Sequence, residues 1–284
     1  MKNTAILLIS CPDRKGIVAA IADFIFQHGG NILHADEHAD EGSDLFLMRV
    51  EFDPSEFDID LSDFAKHFSP IAGKFGMKWR LARSNYRLKM VILVSKHDHC
   101  LVDLLYRHQS GELACDLPLI ISNHPDNKPI ADFYQIPFSV VSVSKENKRE
   151  AEQKILSLLK QHQPDFLVLA RYMQILSNEF VNEYPQRIIN IHHSFLPAFV
   201  GAKPYHQAFA RGVKLIGATS HYVTEVLDDG PIIEQDVVRI SHRDSVDDLL
   251  QKGRDLEKVV LSRAVRWHIE NRILLYGNKT VVFD

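Results

Sequence analysis

The sequence predicts an α/β protein of two domains, a β-α-β-β-α-β module over residues 1–84 and a mostly parallel, helix-covered sheet over residues 88–284. Its length of 284 residues corresponds to about two domains of ordinary size. The first part of the chain has strand and helix patterns in the order of a split βαβ unit, whereas the second repeats short apolar strands between helices. A polar linker at residues 83–87 separates the two patterns.

The first module begins with a predicted strand and an amphipathic helix. Five apolar residues of this helix recur at helical spacing and share one face: Ile17, Ala20, Ile21, Phe24 and Ile25. At residues 45–52 large apolar side chains occupy every second position, which predicts a half-buried strand. The other elements complete a ferredoxin-like order, with strands at residues 4–11, 31–39 and 77–82 and a helix at 61–75.

The second module contains nearly continuous apolar strands. Such strands, separated by helices, indicate a Rossmann-like parallel sheet covered on both faces. The predicted strands lie at residues 90–94, 117–122, 138–143, 166–170 and 187–191. The predicted helices lie at residues 98–107, 145–162 and 177–183, and extended chain at 213–223 and 231–240 precedes a long helix at 246–273.

The composition excludes several classes of protein. Apolar residues make up 45% of the chain and charged residues 25%, as in ordinary soluble domains. No window approaches the ~18 apolar residues of a membrane span, and the N-terminal segment lacks the features of a signal peptide. The net charge of −4 comes without a basic stripe, so nucleic acid is not an expected partner. Three cysteines, an odd number, favour free thiols in the reducing cytoplasm.

One stretch, residues 188–197, begins as a buried strand and becomes polar at its carboxyl end. Side chains alternate along a strand, so we expect Asn190 and His192 to share one face and His193 to point to the other. The carboxyl ends of strands form the ligand crevice of open α/β sheets. An amide and an imidazole there suit a carbonyl whose oxygen becomes negative during attack. The local pattern fits two hydrogen-bonded polar residues at a strand end equally well.

A second stretch, residues 221–231, joins two predicted strands through an acidic loop. The sequence Asp229-Gly230-Pro231 strongly predicts a turn. If the loop folds over the crevice, Asp228 would reach the Asn190 and His192 pair and serve as a general base. Taken alone, the pattern of this loop favours a solvated turn.

Together these segments resemble the folate-dependent formyltransferase family. The resemblance rests on Asn190-x-His192, on Ser194-x-Leu196-Pro197, and on His221-x-Val223-Thr224 followed by Asp228, which lies 36 positions beyond His192. It implies that Asn190, His192 and Asp228 are catalytic. It also implies contacts with the folate from Met173, Ile175, Leu176, His221 and Thr224.

The first module resembles ACT domains. The resemblance is carried by Asp13-Arg14-Lys15-Gly16-Ile17 and by Gly30-Asn31-Ile32. ACT domains bind amino acids or related effectors, usually at a contact between subunits. The resemblance therefore implies a homo-oligomer with an effector site that includes Asp13, Gly16, Asn31 and Ile32.

The reaction is narrowed by residues around the predicted crevice. The tandem His192-His193 and the segment Ala202-x-Pro204-Tyr205-His206 resemble motifs of those members of the formyltransferase family that hydrolyse 10-formyltetrahydrofolate. This hydrolysis supplies formate for purine synthesis and balances one-carbon pools. Residues 95–100 contain no glycine. A backbone cradle for the phosphate of glycinamide ribonucleotide needs conformations that glycine adopts most readily. Two alternatives stay open: phosphoribosylglycinamide formyltransferase, and a catalytically inactive amino-acid sensor.

Other hydrolytic chemistries fit the sequence less well. The chain has 15 histidines but no His-Glu-x-x-His, and adjacent His192 and His193 cannot face one metal ion from a regular strand. Cys100, beside His99, is typical of a buried inert cysteine. Ser194 is not in a Gly-x-Ser-x-Gly elbow. The sequence therefore predicts hydrolysis without metal or cofactor, with Asp228 accepting a proton from water.

Overall fold

The computed structural model describes residues 3–198 and 204–283, so Ala202 of the motif above lies outside the described residues. The chain divides into two units, Met1–Arg87 with Glu270–Asp284, and Leu88–Ile269. Within the described ranges, no helix is both long and apolar enough to cross a membrane.

The first unit contains a four-stranded antiparallel sheet with two helices on one face. Its elements are β1 (Ala5–Pro12), α1 (Ile17–Gln27), β2 (Asn31–Asp40), β3 (Leu45–Asp53), α2 (Phe64–Phe75) and β4 (Lys78–Arg83). The strand order is β2-β3-β1-β4, and all three pairings are antiparallel. The predicted β-α-β-β-α-β order is confirmed.

Both helices of this unit pack on the sheet through the apolar faces that the sequence indicates. In α1 the buried residues are Ile17, Ile21, Phe24 and Ile25. The Phe24 ring lies edge-on to Phe64 and Phe68 of α2, at centroid distances of 5.5 and 5.3 Å. Such edge-to-face pairs add about 0.5–1.5 kcal/mol beyond the burial of their area.

The second unit is built on a seven-stranded sheet. Its elements are β5 (Lys89–Val94), α3 (His99–Gln109), β6 (Asp116–Ser122), α4 (Lys128–Phe133), β7 (Phe138–Val140), α5 (Lys148–His162), β8 (Phe166–Ala170), α6 (Asn178–Glu183), β9 (Ile188–His192), α7 (Pro204–Arg211), β10 (Leu215–Tyr222), β11 (Ile232–Arg239) and α8 (Val246–Ile269). The strand order is β11-β10-β9-β8-β5-β6-β7. Strands β5 to β9 pair in parallel, and β10 and β11 are antiparallel. The sheet is therefore mostly parallel, as predicted; the short helices α4 and α7 were not predicted.

The order of these strands determines where a ligand can bind. The chain runs outward from β5 to β7 on one side and from β8 to β9 on the other, so the direction of winding reverses between β5 and β8. In α/β sheets the crevice at such a reversal, outside the carboxyl ends of the strands, is the usual ligand site. All five residues of β8 are buried, which fits a strand covered on both faces.

The last residues of the chain belong to the first unit, whereas the sequence interpretation assigned them to the second. The helix α8 ends at Ile269 rather than at residue 273, and a hairpin follows, β12 (Ile273–Tyr276) and β13 (Lys279–Val282). The hairpin and Phe283 pack on the sheet face opposite the helices, around Ile6, Leu8 and Leu47. Leu47 is therefore fully buried, and the prediction of a half-buried third strand was wrong.

Candidate active site

A cavity of about 570 Å³ lies at the carboxyl ends of the central strands of the second unit. Its wall combines the segment after β8, the end of β9, the end of β10 and the loop that follows β10. Every residue that the sequence proposed as catalytic or as a folate contact lines this cavity: Asn190, His192, Asp228, Met173, Ile175, Leu176, His221 and Thr224.

Asn190 is oriented by its neighbour on the next strand. His221 pairs with Asn190 in the β9–β10 ladder, and Asn190 Nδ2 lies 3.1 Å from His221 Nε2. His221 Nδ1 lies 2.9 Å from the Tyr222 carbonyl, which can only accept, so Nδ1 carries the proton and Nε2 accepts from Asn190. Burial lowers the pKa of His221 and favours this neutral form. One N–H of the Asn190 amide is thus held by His221, and the other is available to a ligand.

His192 and Asp228 form a contact between the end of β9 and the acidic loop. Asp228 Oδ1 lies 3.2 Å from His192 Nδ1 and 3.8 Å from His221 Nε2. Burial by itself raises the pKa of Asp228, but the hydrogen bond and charge of His192 outweigh this effect and hold the pKa below its ordinary value. Asp228 is therefore an ionised carboxylate at neutral pH. Its backbone is left-handed, with φ of 55°, as is common for Asp in tight turns.

The second ring nitrogen of His192, Nε2, differs from Nδ1 in its hydrogen bonding. His192 is buried, and its Nε2 has no hydrogen-bond partner among residues 3–198 and 204–283. Because Nδ1 is engaged by Asp228, Nε2 is the ring nitrogen left to interact with a reacting group. A buried polar atom without a partner is costly, and a catalytic role is one reason for which such an atom is retained.

His193 also lines the cavity, contrary to the prediction that it points to the opposite face. Regular alternation does not extend to His193 because β9 ends at His192. The His193 ring lies 5.2 Å from the His192 ring and 6.1 Å from the Tyr205 ring, measured between centroids. Burial, followed by the charge of Arg171, lowers the pKa of His193 to about 3, so this imidazole is neutral at physiological pH.

The segment after β8 provides an apolar wall. Met173 and Ile175 expose 52% and 59% of their surface, an unusual amount for large apolar residues within a cavity lining. The Met173 N–H donates to Ser95 Oγ at 2.9 Å, which anchors this segment to the end of β5. Leu176 packs inward on the core, and Thr224 Oγ donates to the Val226 carbonyl at 3.2 Å. Exposed apolar side chains beside a few fixed polar groups are typical of a small-molecule site.

A buried charged network adjoins the cavity, and the sequence did not reveal it. Glu257 of α8 is only 1% exposed; its Oε1 accepts from Tyr205 Oη at 2.7 Å, and its Oε2 lies 2.8 Å from His99 Nε2 and 3.4 Å from Arg171 Nε. Burial raises the pKa of Glu257, but the hydrogen bond from His99 and the charge of Arg171 outweigh it and bring the pKa to about 2. Glu257 lies in the middle of a long helix, far in sequence from its partners, so no local motif indicates it.

The same network contains the closest group of metal-ligating atoms among the described residues. Donor atoms of His99, Cys100 and Glu257 lie within 4.8 Å of one another. Burial and then the charge of Glu257 raise the pKa of Cys100 well above its ordinary value, so the thiol stays protonated. The carboxylate of Glu257 is already compensated by Arg171 and His99. This donor set suits a charged hydrogen-bond network better than a metal centre.

The proposed effector residues lie in the first unit, away from these groups in the sequence. Asp13 and Gly16 lie on the turn between β1 and α1, and Asn31 and Ile32 begin β2; all four are exposed. Gly16 has a φ of 93°, a backbone conformation that residues other than glycine rarely adopt. The turn therefore requires this glycine.

Comparisons with known proteins match both units. The Formyl transferase family model matches residues 88–265, and the ACT domain model matches residues 5–67. A formyltetrahydrofolate deformylase of Synechocystis sp. is 58% identical over 284 residues, which is 100% of both chains. The crystal structure of a formyltetrahydrofolate deformylase from Pseudomonas syringae pv. tomato is similar with a TM-score of 0.97 and 51% identity, covering 100% of this chain and 95% of that one. A glycinamide ribonucleotide transformylase from Symbiobacterium toebii is similar over 72% of this chain and 98% of its own, with a TM-score of 0.66 and 27% identity.

Proposed function

The chain belongs to the formyltetrahydrofolate deformylases, and on this basis we propose that it hydrolyses 10-formyltetrahydrofolate to formate and tetrahydrofolate. The observation that carries the proposal is the convergence of Asn190, His192 and Asp228 on one cavity. An amide, an imidazole and an ionised carboxylate are the groups that attack of water on a formyl carbon requires.

The oxyanion is stabilised by Asn190 and His192. The free N–H of the Asn190 amide donates to the formyl oxygen as it becomes negative. His192 Nε2 also donates when the ring is doubly protonated, with its Nδ1–H donating to the Asp228 carboxylate. Because His221 and Asp228 fix these two groups before substrate binds, little reorganisation is needed in the transition state. His221 is buried behind Asn190, so its main contribution is to position the amide.

The water is activated by Asp228. Its carboxylate accepts a proton from water, directly or through a second water, while the oxygen bonds to the formyl carbon. The tetrahedral intermediate then collapses, the bond from carbon to N10 breaks, and the proton on Asp228 passes to the departing N10. The formic acid that is released loses its remaining proton to solvent. The products are formate and tetrahydrofolate. All of these steps use side chains of this chain and water, and we propose that the reaction needs no cofactor or metal.

The folate is held on the apolar wall. Met173, Ile175 and Leu176 offer apolar surface for its ring system, and Thr224 lies at the edge of the same cavity. This arrangement leaves the N10 formyl group directed towards Asn190 and His192.

Two features favour hydrolysis over transfer to a phosphorylated amine. Ser95, at the end of β5, is buried, and its Oγ donates to Asn123 Oδ1 at 2.7 Å while its carbonyl accepts from Asn127 Nδ2 at 2.7 Å. His99 is engaged by Glu257. The segment that would cradle a phosphate therefore has internal partners and contains no glycine. An inactive sensor is disfavoured by the complete set of Asn190, His192 and Asp228.

The first unit would supply regulation and assembly. We propose that an amino acid binds near Asp13, Gly16, Asn31 and Ile32, as the ACT domain suggests. Strand β2 is an edge of its sheet and is exposed along nearly its whole length, which supports pairing with a second copy in a homo-oligomer. The three cysteines are free and buried, which supports a cytoplasmic location.

The proposed function is tested with purified full-length protein and 10-formyltetrahydrofolate. Equimolar release of formate and tetrahydrofolate, without added metal or acceptor, is the expected result. No formate above the spontaneous rate would contradict the proposal.

A further inference from the structure

Arg171 occupies an unusual position in the cavity wall. It follows β8 directly and has a left-handed backbone, with φ of 61°, which is uncommon for a bulky residue. Its carbonyl accepts from the Ser95 N–H at 3.3 Å, which ties this strained residue to the end of β5. Its side chain is only 10% exposed and lines the cavity. Strained residues that the surroundings hold in place are concentrated at ligand sites.

The guanidinium of Arg171 has unused donors. Its Nε lies 3.4 Å from Glu257 Oε2, and the side chain makes no hydrogen bond with any residue in the ranges 3–198 and 204–283. Nε is fully buried. The terminal nitrogens Nη1 and Nη2, which also lack a hydrogen-bond partner among the described residues, are not fully buried. The accessible end of the guanidinium is therefore the Nη1–Nη2 edge.

Arg171 shares its carboxylate partner, Glu257, with other groups. Glu257 is the carboxylate beside it, but both oxygens of Glu257 also contact other groups, Tyr205 Oη and His99 Nε2. Around the same part of the cavity lie the rings of His193 and Tyr205, which are neutral. This side of the cavity consequently carries guanidinium N–H donors without a partner among the described residues. Such a surface attracts an anion with two oxygens in one plane.

We propose that the Nη1–Nη2 edge of Arg171, held from behind by Glu257, binds formate as the carboxylate product leaves the site. The inference rests on the proposed function, which generates formate in this cavity. Formate is a planar carboxylate, so it can pair with the guanidinium edge through both oxygens. Glu257 lies behind the guanidinium as its ion-pair partner, with Oε2 3.4 Å from Nε.

A purely structural role of the ion pair between Arg171 and Glu257 leads to a different expected result. If Arg171 only neutralises Glu257, then its replacement would reduce the stability of the protein and leave the affinity for formate unchanged. If Arg171 binds formate, then its replacement changes the dissociation constant for formate even in protein that is fully folded.

The experiment titrates sodium formate into full-length protein by calorimetry, with sodium chloride holding the ionic strength constant. Arg171→Gln removes the charge and the donor edge, and a hydrogen bond to a charged group is typically worth a factor of about 10–100 in affinity. We expect at least a tenfold weaker binding of formate. Arg171→Lys keeps the charge but not the planar edge, so it should fall between the wild type and Arg171→Gln. Arg239→Gln, at an exposed arginine of β11, is the matched control and should bind like the wild type.

The outcomes separate this inference from the proposed function. Formate affinity within twofold of the wild type in both Arg171 variants would overturn the formate site. If Arg171→Gln does not fold, the Arg171→Lys variant decides by the same twofold criterion. Because the titration needs no turnover, an absence of formate production from 10-formyltetrahydrofolate would contradict the proposed function and leave the binding result intact.

Discussion

Asp228 Oδ1 lies 3.2 Å from His192 Nδ1, although the two residues are separated by a helix, a strand and an acidic loop. The contact fixes the imidazole in one orientation and leaves its Nε2 for the substrate. It also keeps Asp228 ionised, because the hydrogen bond and charge of His192 lower its pKa. One contact therefore prepares both the base and the oxyanion donor of the proposed reaction.

The first prediction concerns this carboxylate. In Asp228→Asn the side chain keeps its shape but cannot accept a proton from water. The rate of formate release should fall by about 10²–10⁴-fold, the range for one positioned acid or base. Binding of tetrahydrofolate, measured by calorimetry, should change little. Asp229→Asn, at the exposed neighbour, is the control; near-normal turnover in Asp228→Asn would remove Asp228 from the mechanism.

The second prediction concerns Asn190 and the residue that orients it. Asn190→Ala removes one of the proposed oxyanion donors, and kcat should fall by about 10²–10³-fold. His221→Ala leaves the Asn190 amide in place but removes its hydrogen-bond partner. kcat should therefore also fall in this variant, but by less than in Asn190→Ala. Steady-state kinetics of both variants check this order. A larger loss of kcat in His221→Ala than in Asn190→Ala would contradict the positioning role.

The third prediction is a pH dependence of stability that arises from His193. Burial holds its pKa at about 3 in the folded protein, whereas an unfolded histidine has a pKa of about 6.5. Between these values the unfolded chain binds the extra proton, so the free energy of unfolding falls as the pH decreases through this window. In His193→Asn this contribution disappears, and the slope should decrease by up to about 1.4 kcal/mol per pH unit.

Urea unfolding at pH 7, 5.5 and 4 measures this slope. His242→Asn, at an exposed histidine, should keep the wild-type slope. An unchanged slope in His193→Asn would show that His193 does not stay neutral in the folded protein.

The fourth prediction concerns the first unit. Glycine and methionine are the first amino acids to test, and one of them should bind the full-length protein and alter formate release. An effector changes turnover only by favouring one state of the protein, typically with a 5–150-fold change in affinity. Asn31→Ala and Asp13→Ala should weaken this effect, and Asp23→Ala, on α1, should not. No binding in calorimetry together with unchanged kinetics would leave the unit an assembly surface only.

The sequence predicted the two sheets because they depend on local patterns, whereas the three catalytic candidates came from the resemblance to the formyltransferase family. Apolar strands and helical spacing are local, and so is the change to polar residues at the end of β9. The network of Glu257 and Arg171 was not predicted because it depends on how α8 packs against the strand ends. The hairpin β12–β13 was missed because strands of four residues carry too short a pattern. His193 was assigned to the wrong face because a pattern does not define the last residue of a strand.

The most direct measurement follows the formyl group of 10-formyltetrahydrofolate in the presence and absence of glycinamide ribonucleotide. The proposed roles of Asn190, His192 and Asp228 serve hydrolysis and transfer alike, so variants of these residues cannot distinguish the two reactions. If the acceptor side is filled by the chain's own residues, then formate is released at the same rate with and without the ribonucleotide, and no formylated ribonucleotide forms. Formylated ribonucleotide appearing faster than free formate, at the same concentrations of enzyme and donor, would contradict hydrolysis as the function of this protein.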